Sequence, residues 1–280
     1  MKCTSVDFRE LPGQNPLFLA YLEHSEKVRG LYPSPVPSEN VDQLNTRVET
    51  VLAQQRLPRH LLVESLKASY AQLGLDAPED PLEKLGRPDT VAVVTGQQVG
   101  LFGGPALTVF KAATAVRAAR YLSDLGLPAV PVFWLASNDS DFEEVRKTHF
   151  VNRSGELLDL EVPDLRPREE QMAGTVPLQS VSQCLDLLSS PEQGFDLTES
   201  VLKLLQETYS PTSDFRGAFG ALLATLFRGE GLLLFDPLSS LDGSRMTSFL
   251  APVIDRRDEL VEASFERLEE IQGRGFAPQV

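Results

Sequence analysis

Between Thr95 and Lys111 the chain reads TGQQVGLFGGPALTVFK. Glycines at 96, 100, 103 and 104 let backbone amides come close to a ligand, and a helix opening just beyond them aims a partial positive charge at the same spot. Lys111 falls one to two turns into that helix, Arg117 and Arg120 follow, and no acidic residue occurs between Val91 and Tyr121. Such a site suits a phosphate or a carboxylate. It has neither the Gly-Lys-Ser/Thr of a phosphate loop nor the G-x-G-x-x-G order of a dinucleotide site. A turn that only lets a helix pack close to a strand would show the same glycines. A second stretch, SNDSDFEE, carries Asp139, Asp141, Glu143 and Glu144. Carboxylates in such a loop can bind an ammonium group, position a hydroxyl, hold Mg²⁺ or act as a base. They can equally decorate a helix N-terminus, with Ser140 or Asp141 as its cap.

The elements around these stretches are legible. Thr90–Thr95, TVAVVT, is a β-branched run bounded by Asp89 and Gly96 and reads as a buried parallel strand. Pro105 suits the first residue of a helix, along which Leu107, Phe110, Thr114 and Tyr121 lie near one stripe, with Gly126 as its C-terminal cap. PAVPVFWLA, 128–136, is the next strand, and its two prolines predict a late start or an edge position. Strand, glycine-rich turn, helix and strand in this order make a βαβ unit, and ligands of open α/β sheets bind at the C-terminal strand ends. That places the glycine-rich turn and the acidic loop side by side.

Elsewhere, apolar spacing predicts helices over 41–73 broken at Pro58, with DAPEDPLEKLGRPD as a connector. LYPSPVPSEN is irregular, RKTHFVNRSGELLDLEV reads as a hairpin turning at 153–155, and 165–195 shows no clear pattern. DLTESVLKLLQETY and SDFRGAFGALLATLFRGEG are helices capped by Thr198 or Ser213, GLLLFDP is a buried strand, and 245–271 is a long helix that packs or enters a coiled coil. Trp134 and Cys184 read as core; His24, His60 and His149 read as isolated side chains.

A net charge of −14 argues against a general nucleic-acid binder. Two cysteines, Cys3 and Cys184, give no disulfide framework and no metal-ligand spacing, so no metal site is expected and a cytoplasmic setting fits. The N-terminus lacks a signal-peptide pattern, and no apolar run approaches the roughly 20 residues a membrane span needs.

TGQQVGLFGGPALTVFKAATAVRAARYL followed by VPVFWLASNDSDFEEV resembles the bacillithiol biosynthesis cysteine-adding enzyme family, the cysteine ligases. VDFRELPGQNPLFLAYL with LYPSP, SDFRGAFGALLATLFRGEGLLLFDP and GRGFAPQV extend the likeness over essentially the whole chain, which reads as the N-terminal half of a longer family member. The resemblance implies an α/β fold, a Rossmann-like parallel sheet core of nucleotidyltransferase type with helical and irregular insertions. It implies an N-terminal helical segment over 1–88, a first βαβ unit over 89–150, an inserted segment over 151–197 and a continuation of the core over 198–280. It also implies cysteine and glucosaminyl-malate as substrates, ATP or another adenine nucleotide as cofactor, and a coiled-coil homodimer for the full-length protein, with neither nucleic acid nor membrane as partner. Gly96, Gln97, Gln98, Gly100, Gly103, Gly104, Thr108 and Lys111 match the family's TGQQxGLFxGPxxTxxK pattern and are expected to bind substrate or nucleotide. Asp139 and Asp141 are expected to be catalytic, with Glu144 and Asn138 beside them. Asn138 and Ser140 stand where the family usually carries an acid and a histidine. The alternative is a truncated or diverged homologue that binds a nucleotide or metabolite without ligase activity.

Overall fold

The computed structural model describes residues 5–23, 25–32, 41–55, 57–163, 171–190, 199–240 and 250–278. In chain order its elements are helices α1 (Pro16–Leu22), α2 (Val41–Ala53), α3 (Arg59–Leu73) and α4 (Glu79–Gly86), strand β1 (Val91–Gln98), helix α5 (Leu107–Asp124), strand β2 (Ala129–Ala136), helix α6 (Phe142–Val145) and strands β3 (Lys147–Val151) and β4 (Leu157–Glu161). Helices α7 (Val181–Ser189), α8 (Glu199–Thr208) and α9 (Phe215–Leu226), strand β5 (Leu233–Phe235) and helices α10 (Pro237–Ser240) and α11 (Arg257–Gly273) follow. The chain divides into two compact units, one of residues 48–241 and one of residues 1–47 with 242–280.

The unit of residues 48–241 is built on a parallel sheet ordered β1-β2-β5. Val91 faces Ala129 and Gln98 faces Ala136, so the C-terminal ends of β1 and β2 are level. Helix α5 buries Thr108, Ala112, Ala115, Val116 and Ala119. These small side chains let it lie close on the two strands it connects. It stops in a left-handed turn: Gly126 has φ 81°, its N–H donates to Ser123 O and that of Leu127 to Leu122 O. Helix α9 brings Phe219 to 6.1 Å from Phe133 of β2. Leu66, Leu85, Leu135, Leu223 and Leu233 complete a continuous core. Val48 and Leu52 pack with Val91, Val93, Ala119, Leu122 and Ala129 in a smaller cluster.

Strands β3 and β4 form the expected antiparallel hairpin. Its turn is organised by Asn152, whose Oδ1 accepts from the N–H of Ser154 and of Glu156. His149 pairs with Asp159 across it, 2.6 Å apart on the exposed surface. In the other unit, Arg274 Nη1 donates to the carbonyls of Lys27 and Arg29 at 3.0 and 2.6 Å.

Several expectations are corrected. The connector over 76–89 contains α4, whose Leu82 and Leu85 are buried; an apolar pair a few residues apart was enough to fix a helix despite Pro78 and Pro81. The 90–95 strand runs on through Gln97 and Gln98, and it is an edge strand with Ala92 and Val94 exposed. Strand β2 is central. Val91 N–H bonds Pro128 O, so alternation turns the nitrogen of Pro131 toward β5, one residue before that ladder starts at Val132. Helix α5 starts at Leu107, after Pro105. Leu107, Phe110 and Tyr121 are exposed, because the buried face is the one made of small residues. Trp134 is 42 % exposed at the end of a sheet face on which Val130 and Val132 are buried. Asp214, one residue past Ser213, caps α9 by accepting from Gly217 N–H. Helix α11 buries none of its residues. Thr198, His24 and Pro33, Pro35 and Pro37 lie outside the described residues.

Candidate functional site

The predicted residues gather at the C-terminal ends of β1 and β2. Gly96, Gln97 and Gln98 are the last three residues of β1, opposite Trp134, Leu135 and Ala136. Half-buried Lys111 reaches back from α5, donating to Gln97 Oε1 at 2.8 Å and Gly96 O at 3.3 Å. Gln97 Nε2 donates to Gln98 Oε1 at 3.4 Å. Gln98 Nε2 in turn donates to Asp139 Oδ2 at 3.0 Å and Glu144 Oε2 at 2.6 Å. One hydrogen-bonded chain therefore links a cation to two carboxylates across the strand ends. The paired glutamines, which sequence reading treated as loop residues, are its middle.

The acidic loop is itself fixed. Asp139 Oδ1 accepts from the N–H of Asp141, and Asp141 Oδ1 accepts from that of Glu144, capping α6. Asn138 is exposed beside them. From the other side, the N–H of Ala173 donates to Asp139 O at 2.8 Å and that of Gly174 to Ser137 O at 3.0 Å. This approach is so close that a Cβ on Gly174 would lie 2.6 Å from that of Ser137. Ser137 Oγ donates to the fully buried Asp236 at the end of β5. Arg216 Nη1 at 3.3 Å, Ser239 Oγ at 2.8 Å and the N–H of Leu238 at 3.1 Å also donate to that carboxylate. A buried charge held by a guanidinium and hydroxyls is well compensated. Asp236, Ser137 and Gly174 form the footing of the acidic loop. Sequence reading missed them, since only the fold brings these positions together.

The glycine-rich turn is held by a buried phenol. Tyr209 Oη donates to Gly100 O and accepts from Gly103 N–H, both at 2.8 Å. Burial pushes its ionisation well above the ordinary phenol range. Phe102 has φ 51°, a left-handed conformation costly for a side chain of its size, and it is held there by edge contacts with Tyr209 and Phe150. A Cβ on Gly100 would meet Gly104 Cα at 2.9 Å, so this turn closes on itself. The N–H groups of Gly100, Gly103 and Gly104 all find acceptors within it. Among the described residues the N–H groups of Leu101 and Phe102 in the turn meet no acceptor, and further unmatched groups follow at the start of α5. Among the described residues, the N–H groups of Ala106 and Leu107 meet no acceptor, and the enclosed hydroxyl of Thr108 meets no partner. The glycine amides are thus taken, and free donors stand at the start of α5.

Among the described residues no cluster of three His, Cys, Asp or Glu is arranged to hold a metal, and no helix is long and apolar enough to cross a membrane. A cavity of about 830 Å³ lies at the opposite end of the sheet, between Tyr70, Asp76, Glu79, Asp80 and Arg228, and contains none of the site residues.

A parallel sheet with an ordered turn, a helix start and a polar cluster at its strand ends defines a Rossmann-like α/β domain. The family model for the N-terminal Rossmann-like domain of bacillithiol biosynthesis BshC matches residues 1–280, and the chain belongs to that family. It is 32 % identical over 281 residues to a protein of Solibacter usitatus (strain Ellin6076) named "Putative cysteine ligase BshC". Proteins of the same name from Koribacter versatilis (strain Ellin345) and Heliobacterium modesticaldum (strain ATCC 51547 / Ice1) are 32 % and 33 % identical. These matches cover 100 %, 98 % and 93 % of this chain but 51 %, 50 % and 49 % of the relatives, so the chain spans about half their length.

Proposed function

We propose that this chain is the N-terminal catalytic half of a cysteine ligase that joins the carboxyl of L-cysteine to the amine of glucosaminyl-malate, the last step of bacillithiol formation. The observation that carries the reading is the Lys111–Gln97–Gln98–Asp139/Glu144 chain, in a chain whose relatives are named cysteine ligases. Amide formation from a carboxylate and an amine has two needs. The carboxyl must be made electrophilic, and the attacking ammonium must lose protons. Asp139 and Glu144, steered by Gln98, receive an ammonium group and take up its proton; Asp141 holds their loop in place. Lys111 and the start of α5 balance negative charge on the carboxyl side. Ala106 and Leu107 N–H with the orphaned Thr108 hydroxyl fit a phosphate oxygen, and ATP bound there would supply the activation of the carboxyl. The side chains gathered there are polar, suit soluble metabolites, and belong with a cytoplasmic enzyme that dimerises in its full-length form.

The test is direct. The full-length gene product carrying this sequence, given L-cysteine, glucosaminyl-malate and ATP, forms bacillithiol detected by mass, and omission of any one reactant abolishes it. Binding of cysteine or nucleotide without product would replace this reading with that of a homologue that binds and does not turn over, which Asn138 and Ser140 would favour.

A further inference from the structure

The ladder between β2 and β5 ends at the pair Trp134 and Phe235. Just past it a single carboxylate takes over the task of joining the two strand ends. Asp236, the first residue beyond β5, is fully buried. Its Oδ1 accepts from Ser137 Oγ and from the N–H of Leu238, and its Oδ2 accepts from Arg216 Nη1 and Ser239 Oγ. Its backbone N–H donates to Ser69 Oγ of α3 at 3.2 Å. The ends of β2 and β5 and helices α3, α9 and α10 thus meet at one residue. Arg216 is braced on its other side. Its Nε donates to Asp214 Oδ2 at 3.1 Å, while Asp214 Oδ1 caps α9 at the N–H of Gly217. The guanidinium is therefore fixed between the start of α9 and the end of β5.

A carboxylate that takes four donors is a rigid node, and the guanidinium supplies the opposite charge that its burial requires. Ser137 is the arm of this node that reaches the acidic loop. Its backbone is pinned as well: its O accepts from Gly174 N–H at 3.0 Å, and its N–H donates to Leu135 O at 2.7 Å. Two residues on stands Asp139, whose Oδ2 lies 3.0 Å from Gln98 Nε2. We propose, resting on the ligase reading, that Arg216 and Asp236 are positioning residues for the reaction. Through Ser137 they set where Asp139, and with it the carboxylate pair that Gln98 holds, stands against the attacking amine. Neither touches the reacting atoms. The reaction served is that of the ligase reading, whereas the placement of the loop follows from the contacts alone. Placement matters steeply, because a shift of about 1 Å at a reacting group costs roughly 100-fold in rate.

Two variants of the full-length gene product carrying this sequence test it. Ser137→Ala removes one oxygen and cuts the arm while leaving the Arg216–Asp236 pair whole. Arg216→Gln keeps Ser137 and takes the cation from Asp236. Each lowers kcat for bacillithiol formation by roughly 10-fold or more, with KM for L-cysteine and glucosaminyl-malate within about twofold of wild type. Arg216→Lys, which keeps a cation at Asp236, recovers part of the rate. The double variant is no slower than the slower single one, because Arg216 acts on the loop through Ser137. In both single variants the amides of 138–144 exchange roughly 10-fold faster than in wild type, while those of α5 do not change. A kcat within about threefold of wild type in Ser137→Ala, or losses that multiply in the double variant, overturns the proposal. A wild-type protein that forms no bacillithiol sinks the ligase reading instead, and exchange then decides alone. Unchanged rates over 138–144 in both variants overturn the placement of the loop by this pair, and faster rates uphold it.

Discussion

Removing one oxygen atom, by Tyr209→Phe, should loosen the glycine-rich turn without disturbing the packing around it. The hydroxyl is fully buried and joins two backbone groups, Gly100 O and Gly103 N–H, each at 2.8 Å. In the variant they keep only their mutual 3.3 Å contact. A buried group left without a good partner costs about 1–3 kcal/mol. Because the two retain a poor bond to each other, the expected loss is about 2 kcal/mol rather than twice the single value. For the folding unit of residues 48–241, that corresponds to a fall in melting temperature of about 4–8 °C. Urea unfolding followed by the fluorescence of Trp134, the chain's one tryptophan, measures the loss. Exchange of amides 99–104 should accelerate with it. Tyr121→Phe, at an exposed position on α5, is the control and should cost nothing measurable. A Tyr209→Phe protein within about 0.5 kcal/mol of wild type, with unchanged exchange over 99–104, would refute the claim that this phenol holds the turn.

Gly174→Ala places a Cβ 2.6 Å from Ser137 Cβ and 2.7 Å from Ser137 O. It should destabilise by about 3 kcal/mol and shift the amide resonances of 137–144; a neutral result would mean that the acidic loop has room the structure does not show. Alkaline stability should fall in two overlapping steps. Burial raises Cys184 from 9.0 to about 11 and Tyr70 from 10.0 to about 12. Each group favours its protonated form in the fold, so its contribution is complete below the lower value and lost as pH rises through the window. Two units are worth about 2.7 kcal/mol per group. Urea midpoints measured from pH 8 to 12 should decline from about pH 9, and Cys184→Ala with Tyr70→Phe should flatten the decline. Cys184 should also resist iodoacetamide at pH 8 until the protein is unfolded; rapid labelling of the native protein contradicts its burial.

The βαβ unit was legible because its signals are local: a β-branched run, glycines, a helix with a glycine stop, and a second apolar strand. The side facing the core was not legible for α5. Leu107, Phe110 and Tyr121 form an apolar stripe, yet the sheet takes the face of Thr108, the alanines, Val116 and Leu122, since close helix–strand contact favours small side chains. Trp134 misled for a related reason: an apolar strand signals burial on both faces, and the face that buries Val130 and Val132 leaves its end at Trp134 exposed. Within the site, residue types were readable and partners were not. The glycines promised free amides, and the fold spends those amides on the turn itself and on Tyr209. Asp236 and Gly174, remote in sequence, carry no local mark of the loop they support.

The most direct test of the proposed site is Asp139→Asn in the full-length gene product carrying this sequence. The substitution keeps the side chain's size and one acceptor oxygen, for either Gln98 Nε2 or the Asp141 N–H, and removes the charge, the basicity and the second acceptor. Bacillithiol formation from L-cysteine, glucosaminyl-malate and ATP should fall by roughly 100-fold or more, the contribution of a well-placed acid or base, with melting temperature and fold intact. A folded variant that keeps activity within about threefold of wild type, well short of that contribution, would contradict the assignment of the chemistry to the carboxylates that Gln98 holds.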